Sequence, residues 1–392
     1  MQASKALGVP VRIGAITAQS TGIIPSFELR DVTLLDSTGR VALRLPRVLA
    51  ALSPRSLLTL GFEQLYIDQP ELDIRRTADG KILIAGLDFS SNTRNDASAL
   101  DWFFSQTEFV IHNGTLRWTD EQRAAPPLAL RQVDFVMRNK ARGHAVRIDA
   151  TPPTGWGDRF NLTALFHQPL LSRHSGQWQQ WDGQVYADLA RVDITQLRRY
   201  ADLLGVTLDR GNGALRAWAD VSRGQITGGT ADVALAEMAA TLGPQLQPLA
   251  LQSVTGRLGG RWLAAGGFEF STQGLQFMTS GGLRWPGGNV FVTHSQGQGR
   301  IPAQGEIRAD KLDLAALTQI ANRLPLGTAA HAALAAYAPK GLVEQVQGSW
   351  QGPLEAPVKF NARGRVVQLA IAAQPGAPAP GTAMARCGPG LM

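Results

Sequence analysis

The feature that most constrains this chain is a regular alternation of apolar and polar residues in short runs. Successive side chains of a β-strand point to opposite faces, so a run of period two forms a strand with one apolar and one polar face. The alternation therefore predicts a mainly β protein. Clear runs between residues 9 and 121 carry Val11 and Ile13, Phe27 and Leu29, Leu65 and Ile67, Leu72 and Ile74, and Ile82 and Ile84.

Turn-forming residues between the runs predict hairpins. Asp79-Gly80 is a two-residue turn signal, and the segment from Phe109 to Trp118 predicts a second hairpin, because Asn113-Gly114 supplies two residues that tolerate positive φ. Further along the chain, paired glycines predict tight turns or bulges. The pairs are Gly228-Gly229, Gly259-Gly260, Gly266-Gly267, Gly281-Gly282 and Gly287-Gly288.

Helix signals are few and short. Ser53-Pro54 predicts the start of a helix that ends at Gly61, and Asp96 predicts the cap of a helix from Ala97 to Gln106. Three or four short helices cannot shelter the apolar faces of fifteen or more predicted strands.

An internal repeat follows. The segment from Tyr186 to Asp193 leads from a strand into a predicted helix, Ile194 to Leu204, and the segment from Arg308 to Asp313 leads into a second one, Leu314 to Leu324. In both units an aspartate stands at the N-cap. Repeated units predict an extended array that buries its core between neighbours.

These patterns divide the chain into four segments. Residues 1–8 form a lead, 9–180 a β-rich region, and 181–371 the repeated strand–helix–strand units. Residues 372–392 form a Gly/Pro-rich tail that is predicted to be disordered and to mark either a truncation or an out-of-frame reading.

Nothing in the composition indicates a reaction. The six histidines are dispersed, and the single cysteine, Cys387, excludes an intrachain disulfide and a thiolate metal site. We therefore predict that the chain is not an enzyme and needs no metal or cofactor. The net charge of +7 comes mainly from arginines that lack an accompanying pattern of stacking aromatics, so we expect no nucleic-acid partner. No apolar stretch approaches the roughly eighteen residues of a membrane span, which predicts a soluble chain.

The apolar positions of successive strands predict one continuous stripe. It must lie under helices, under a second sheet or under a ligand. One alternative is a closed β-sandwich or barrel that serves as a structural or assembly scaffold; the other is a partly open sheet whose apolar surface contacts acyl chains. The predicted stripe comprises Leu65, Ile67, Leu72, Ile74, Phe109, Ile111, Leu116, Trp118, Phe135, Val146, Ile148, Phe160 and Leu162.

Several short sequence segments, in their order and spacing, resemble the N-terminal region of the YhdP family, which is similar to AsmA and TamB. The likeness covers roughly residues 8 to 370. The segments are Gly8–Gly14, Phe27–Asp36, Leu43–Arg47, Leu65–Ile74 with Asp79-Gly80, Gly114–Glu121, Pro127–Phe135, Gly213–Trp218 and Ala309–Leu317.

The resemblance implies an elongated, curved antiparallel β-sheet groove, built of repeated hairpin units with a few short helices. Members of this family carry an inner-membrane helix followed by a long periplasmic body that is thought to pass phospholipid toward the outer membrane. The present chain lacks such a helix and is shorter, so the resemblance implies an N-terminal periplasmic fragment. Its expected partners are phospholipid, the inner membrane through the missing helix, and other envelope proteins.

Overall fold

The computed structural model describes residues 10–21, 24–35, 41–53, 61–84, 87–88, 101–170, 172, 176–200, 206–263 and 266–372. Within these ranges, strands belong to a single sheet of 22 strands and the helices are short. The mainly β prediction is therefore confirmed.

The first part of the sheet ends at residue 167. Its strands are β1 Val11–Arg12, β2 Ala15–Thr21, β3 Ile24–Leu35, β4 Val41–Ala51, β5 Gln64–Asp68, β6 Glu71–Arg76, β7 Ile82–Ile84, β8 Leu87–Asp88, β9 Glu108–Asp120, β10 Ala125–Lys140, β11 Gly143–Thr151 and β12 Phe160–His167.

The second part begins at residue 182. Its strands are β13 Asp182–Asp193, β14 Thr207–Ser222, β15 Gln225–Thr241, β16 Leu249–Leu263, β17 Gly267–Thr279, β18 Arg284–Trp285, β19 Val290–Ser295, β20 Gln304–Asp313, β21 Lys340–Gln351 and β22 Lys359–Ala370.

Four helices accompany these strands in the described ranges. They are α1 at 101–105, α2 Ile194–Leu197, α3 Leu314–Ile320, which continues into a 3-10 turn at Ala321–Arg323, and α4 Thr328–Tyr337. A further 3-10 turn spans Trp178–Gln180.

The strands form one meander that continues from β9 to β22 with each long strand paired to the next. Nearly all pairs are antiparallel, as predicted. The exception is β9, which runs parallel to both β5 and β6, two short strands that together occupy one position beside β4. Among the described residues, β2 pairs only with β3 and β22 only with β21, so no strand pairing closes the sheet into a barrel.

The hairpin predicted at Asn113-Gly114 is wrong. Strand β9 passes straight through both residues, and the turn that joins it to β10 lies at 121–124. Asn113 does have positive φ, 49°, but within a strand this produces a bulge. The signal misled because Asn adopts positive φ in hairpin turns and in bulges alike.

The hairpin at Asp79-Gly80 is confirmed: β6 pairs with β7 around the loop 77–81, where Gly80 has a φ of 85°. Two glycine pairs are not turns, however, because Gly229 of β15 lies directly opposite Gly260 of β16 in mid-strand.

Both predicted strand-to-helix transitions are present, but the helices are shorter than predicted: the first ends at Leu197, and the second ends at Ile320 and continues as a 3-10 turn to Arg323. Of the first predicted helix, 201–204 lie outside the described residues. The Asp193 carboxylate accepts a hydrogen bond from the Thr195 N–H at 2.9 Å, and Asp313 accepts one from Ala316 at 2.9 Å. Of the two N-terminal helices that the sequence predicted, residues 54–60 and 89–100 lie outside the described residues, and 101–105 are helical as expected. Helix α4 was not predicted.

Candidate functional site: the apolar face of the sheet

The strand registers assemble one apolar face that crosses the whole meander. In each ladder, residues directly opposite one another project from the same face. One row of such partners runs through sixteen strands, and Thr272 is its only polar member. The row is Ile16, Leu29, Val48, Ile67, Ile111, Phe135, Ile148, Leu162, Ala187, Ala217, Ala231, Leu258, Thr272, Val290, Ala309 and Val346.

The Thr272 hydroxyl does not interrupt the apolar character of the row, because it accepts a hydrogen bond from the Val290 backbone N–H at 3.1 Å. A second row, two residues further along the strands, contains only apolar residues and glycine. It runs from Ala18 through Leu65, Phe109 and Val146 to Ala362. At about 4.8 Å per strand, either row is roughly 70 Å long.

All thirteen residues of the predicted stripe lie on this face. Leu72 and Ile74 of β6 lie opposite Leu116 and Trp118 of β9, and Phe160 lies opposite Ala150. Before Asn113 the odd-numbered residues of β9 lie on the apolar face, and after it the even-numbered residues do. The cause is the bulge at Asn113, which shifts the alternation by one residue. The bulge therefore keeps Leu116 and Trp118 on the same face as Phe109 and Ile111.

The opposite face of the sheet carries a polar row that crosses β10 to β17. It holds Asp134, Asp149, Asn161, Asp188, Arg216, Asp232, Arg257 and Gln273. Arg257 binds Asp232 through two hydrogen bonds of 2.5 and 2.8 Å, which lowers the pKa of that carboxyl. Arg147 likewise lowers the pKa of Asp149. Because charged side chains remain solvated, this face of the sheet is exposed to water.

The apolar face of β3 to β12, which we call the sealed segment, is buried at its centre. Ala50 and Met137 are each 1% exposed and Ile67 is 6% exposed. Helix α1 provides the cover: the Phe103 ring packs edge-on against Phe109 with centroids 4.9 Å apart. Of the predicted stripe, Leu65, Ile67 and Phe109 are buried and the other ten residues are partly buried.

A buried polar network fastens this cover. The Phe62 N–H donates to the Gln106 side chain at 2.7 Å, and Asn139 donates to the Gln106 carbonyl at 2.7 Å. The Asn139 oxygen then accepts from His144 Nδ1 at 2.6 Å, while Gln168 donates to His144 Nε2 at 2.8 Å. These partners hold His144 neutral, and burial lowers its pKa to about 4.

The same face is partly accessible over β13 to β22, which we call the open segment. Its centre is lined by small residues, which we call the Ala/Gly trough, and these are partly buried or exposed. On one side of the trough, Phe270 is 42% exposed and Trp262 is 52% exposed. The trough consists of Ala187, Ala217, Ala219, Gly229, Ala231 and Gly260.

Helices α2 and α3 cover one end of the open segment. Ile194 of α2 and Ile320 of α3 join a core with Leu249 and Val254. The 3-10 turn after α3 is tied to the connection between β15 and β16, since the Gln247 N–H donates to the Asn322 carbonyl at 3.0 Å. On the other side of the trough, the N-terminus of α4 contacts the connection between β21 and β22, where the Thr328 hydroxyl donates to the Glu355 carbonyl at 3.1 Å.

Sequence reasoning did not identify the Ala/Gly trough. The glycine pairs were interpreted as tight turns or bulges, and alanine is too small to give a strong apolar signal. The usable signal is that Ala217, Ala219 and Ala231 keep the period of two within strands.

Two open hollows, of about 420 and 840 Å³, lie mainly on the polar face of β17 to β22. A chain-like ligand on the apolar face would therefore lie along a surface and not inside these hollows. Among the described residues, no group of three or more His, Cys, Asp or Glu side chains could hold a metal ion. No described helix is long and apolar enough to cross a bilayer.

The family described as YhdP protein matches residues 1–384. No curated protein and no solved structure matches the chain significantly.

Proposed function

Because the chain belongs to the YhdP family, we propose that its apolar sheet face binds phospholipid acyl chains and conducts them along the meander, from strand to strand. This makes the chain part of a periplasmic, inner-membrane-anchored bridge between the two membranes of a Gram-negative envelope, in support of outer-membrane lipid homeostasis. The chain carries out no reaction in this proposal.

One observation carries the proposal: two register-matched apolar rows continue across the ladder while a charged row occupies the opposite face. In the open segment most members of these rows are partly buried or exposed, while Thr272 and Ala309 are buried. Phe270 and Trp262 are the large apolar residues of this face that are most exposed to water there. Covering apolar surface is favourable by about 25 cal/mol per Å² and has no directional requirement. Such a surface suits a ligand that must slide and leave.

The Ala/Gly trough supports the same function. Opposite partners without large side chains, such as Ala217 with Ala231 and Gly229 with Gly260, leave a depression at the level of the backbone. The depression crosses strands, so it follows the direction in which a lipid would move along the meander.

The sealed segment favours a second role for part of the chain. Where α1 and the His144 network already cover the apolar face, no acyl chain is needed, and β3 to β12 would act as a structural scaffold.

Neighbouring residues on one strand provide the test. Ala217 lies on the apolar face and Trp218 on the polar face of β14. We would place a photo-crosslinking amino acid at each position, irradiate the full chain with vesicles of phosphatidylethanolamine and phosphatidylglycerol, and count covalently attached lipid by mass spectrometry. Lipid attached at 217 and not at 218 is expected. Equal attachment at both positions, or none at either, would overturn the proposal.

A further inference from the structure

A row of aromatic rings crosses one border of the open segment. Trp262 pairs with Phe268, Phe268 with His294, His294 with Gly305, Gly305 with Trp350, and Trp350 with Phe360. We call these the aromatic row. It lies at the strand ends opposite those that α2 and α3 cover, and it is two residues, or roughly 7 Å, from the row that contains Gly229 and Gly260.

Gly305 leaves space for the large ring beside it. A Cβ at this position would overlap the Trp350 indole, so the indole lies over Gly305 and approaches His294. The two rings are nearly parallel, with an interplanar angle of 10° and centroids 6.0 Å apart.

Two polar atoms in this row are buried without a hydrogen-bond partner among the described residues: His294 Nδ1 and Trp350 Nε1. His294 as a whole is 7% exposed. Buried polar atoms in native proteins are nearly always paired, because leaving one unpaired costs about 1–3 kcal/mol. A feature of this kind needs a reason.

The sealed segment contains a similar stack of a histidine on a tryptophan that has a purely structural role. There His144 also stacks on a tryptophan, Trp181, with centroids 4.0 Å apart, but both of its ring nitrogens are hydrogen-bonded, to Asn139 and Gln168. Trp181 Nε1 is without a partner, as is that of Trp350. The difference between the two sites is therefore the histidine.

We propose that the aromatic row binds the junction between the polar and apolar parts of a phospholipid, with ester or phosphate oxygens accepting hydrogen bonds from Trp350 and His294. The proposal rests on the proposed function, since the acyl chains would lie on the Ala/Gly trough next to the row. Indole is a donor only, so its ligand atom must be an acceptor, and a neutral imidazole can donate from Nδ1. Aromatic rings with one polar atom suit such a junction, where one end is dry and the other wet.

The experiment compares three ligands on the full chain: dioleoyl phosphatidylglycerol, dioleoylglycerol and hexadecane. The first has phosphate and ester oxygens, the second esters alone and the third neither. Trp350→Phe and His294→Phe each keep a ring and lose a donor. We expect binding of phosphatidylglycerol to weaken about three- to tenfold in each variant, as for the loss of one hydrogen bond, with hexadecane binding unchanged. A loss shared by dioleoylglycerol assigns the contact to the ester, and a loss confined to phosphatidylglycerol assigns it to the phosphate.

Trp218→Phe on the polar face is the matched control and should alter none of the three affinities. His294→Phe should not lower the unfolding midpoint, because it removes an unpaired buried polar atom. Unchanged phosphatidylglycerol binding in both variants, or an equal loss of hexadecane, would refute the headgroup site. If the wild-type chain binds no hexadecane at all, the proposed function itself fails, and the two failures are thereby distinguished.

Discussion

The sealed and open segments share one sheet and one apolar face, yet the face becomes a core in the first and remains a surface in the second. In the sealed segment the face is built of large residues such as Ile67, Phe109 and Met137, and α1 supplies aromatic side chains that pack on them. In the open segment the centre of the face is alanine and glycine, and α2 and α3 cover one end. Alternation thus determines which side of a sheet is apolar, while side-chain size and available cover determine whether that side is closed.

The largest expected effect comes from placing a charge in each segment. Ile67→Asp puts a carboxylate among fully covered apolar residues, and we expect a loss of more than about 4 kcal/mol in the free energy of unfolding. Ala217→Asp puts the same group on an accessible face, where water can reach it, so the chain should remain folded and lose lipid. Urea denaturation followed by circular dichroism measures both. If both variants unfold alike, the open segment is also a core and the comparison fails.

Much of this fold could be predicted because strand alternation is a local property. The thirteen stripe residues, chosen from sequence alone, all lie on one face, and Asp193 and Asp313 cap helices where expected. The alternation could not show which residues would be covered. That depends on α1 packing against strands distant in sequence and on a network that links Phe62, Gln106, Asn139 and Gln168.

Other features of the fold were not predicted correctly, because the same local sequence signal occurs in two different structures. Asn113-Gly114 and Gly228-Gly229 carry the backbone freedom of turns, but the first forms a bulge and the second lies in a strand interior. Helix α4 escaped because its alanine-rich sequence buries no side chain fully and shows no distinct apolar period.

The pH dependence of the two segments should also differ. Burial lowers the pKa of His144 to about 4 in the folded chain. In the unfolded chain His144 is protonated below about pH 6.5, whereas in the folded chain it is protonated only below about pH 4. Stability of the sealed segment therefore falls as the pH drops across this window, by up to roughly 3 kcal/mol. Urea unfolding followed by circular dichroism at several pH values measures it.

His144→Gln is the control, since it removes the titrating group and keeps hydrogen-bonding capacity. The slope of stability between pH 6.5 and 4 should flatten in this variant. An unchanged slope would mean that another group governs the acid sensitivity of the sealed segment.

Adding the same bulk to each segment tests the difference in packing. Ala50→Leu inserts three carbons where the residue is 1% exposed, and overpacking should cost about 1–3 kcal/mol. Ala217→Leu extends into the accessible trough, so its unfolding midpoint should stay close to that of the wild-type chain. The informative readout for Ala217→Leu is lipid crosslinking at position 231, which lies directly opposite in β15 and should decrease. A stable Ala50→Leu variant would show that the sealed segment has spare volume.

The smallest effect is expected on the polar face, where the two segments should behave alike. Arg147→Gln removes a partner of Asp149 in the sealed segment, and Arg257→Gln removes the partner of Asp232 in the open one. Both carboxyls have a lowered pKa, so each pair stabilises the fold above the ordinary pKa of an aspartate and loses that contribution as the pH falls through the lower, folded-state value. Because water screens these exposed pairs, neither variant should shift the urea midpoint at neutral pH by as much as Ala50→Leu. Lipid crosslinking at position 217 should persist in Arg257→Gln, since the guanidinium lies on the other side of the sheet. A marked loss of crosslinking would mean that the two faces are not independent and that the polar row takes part in holding lipid.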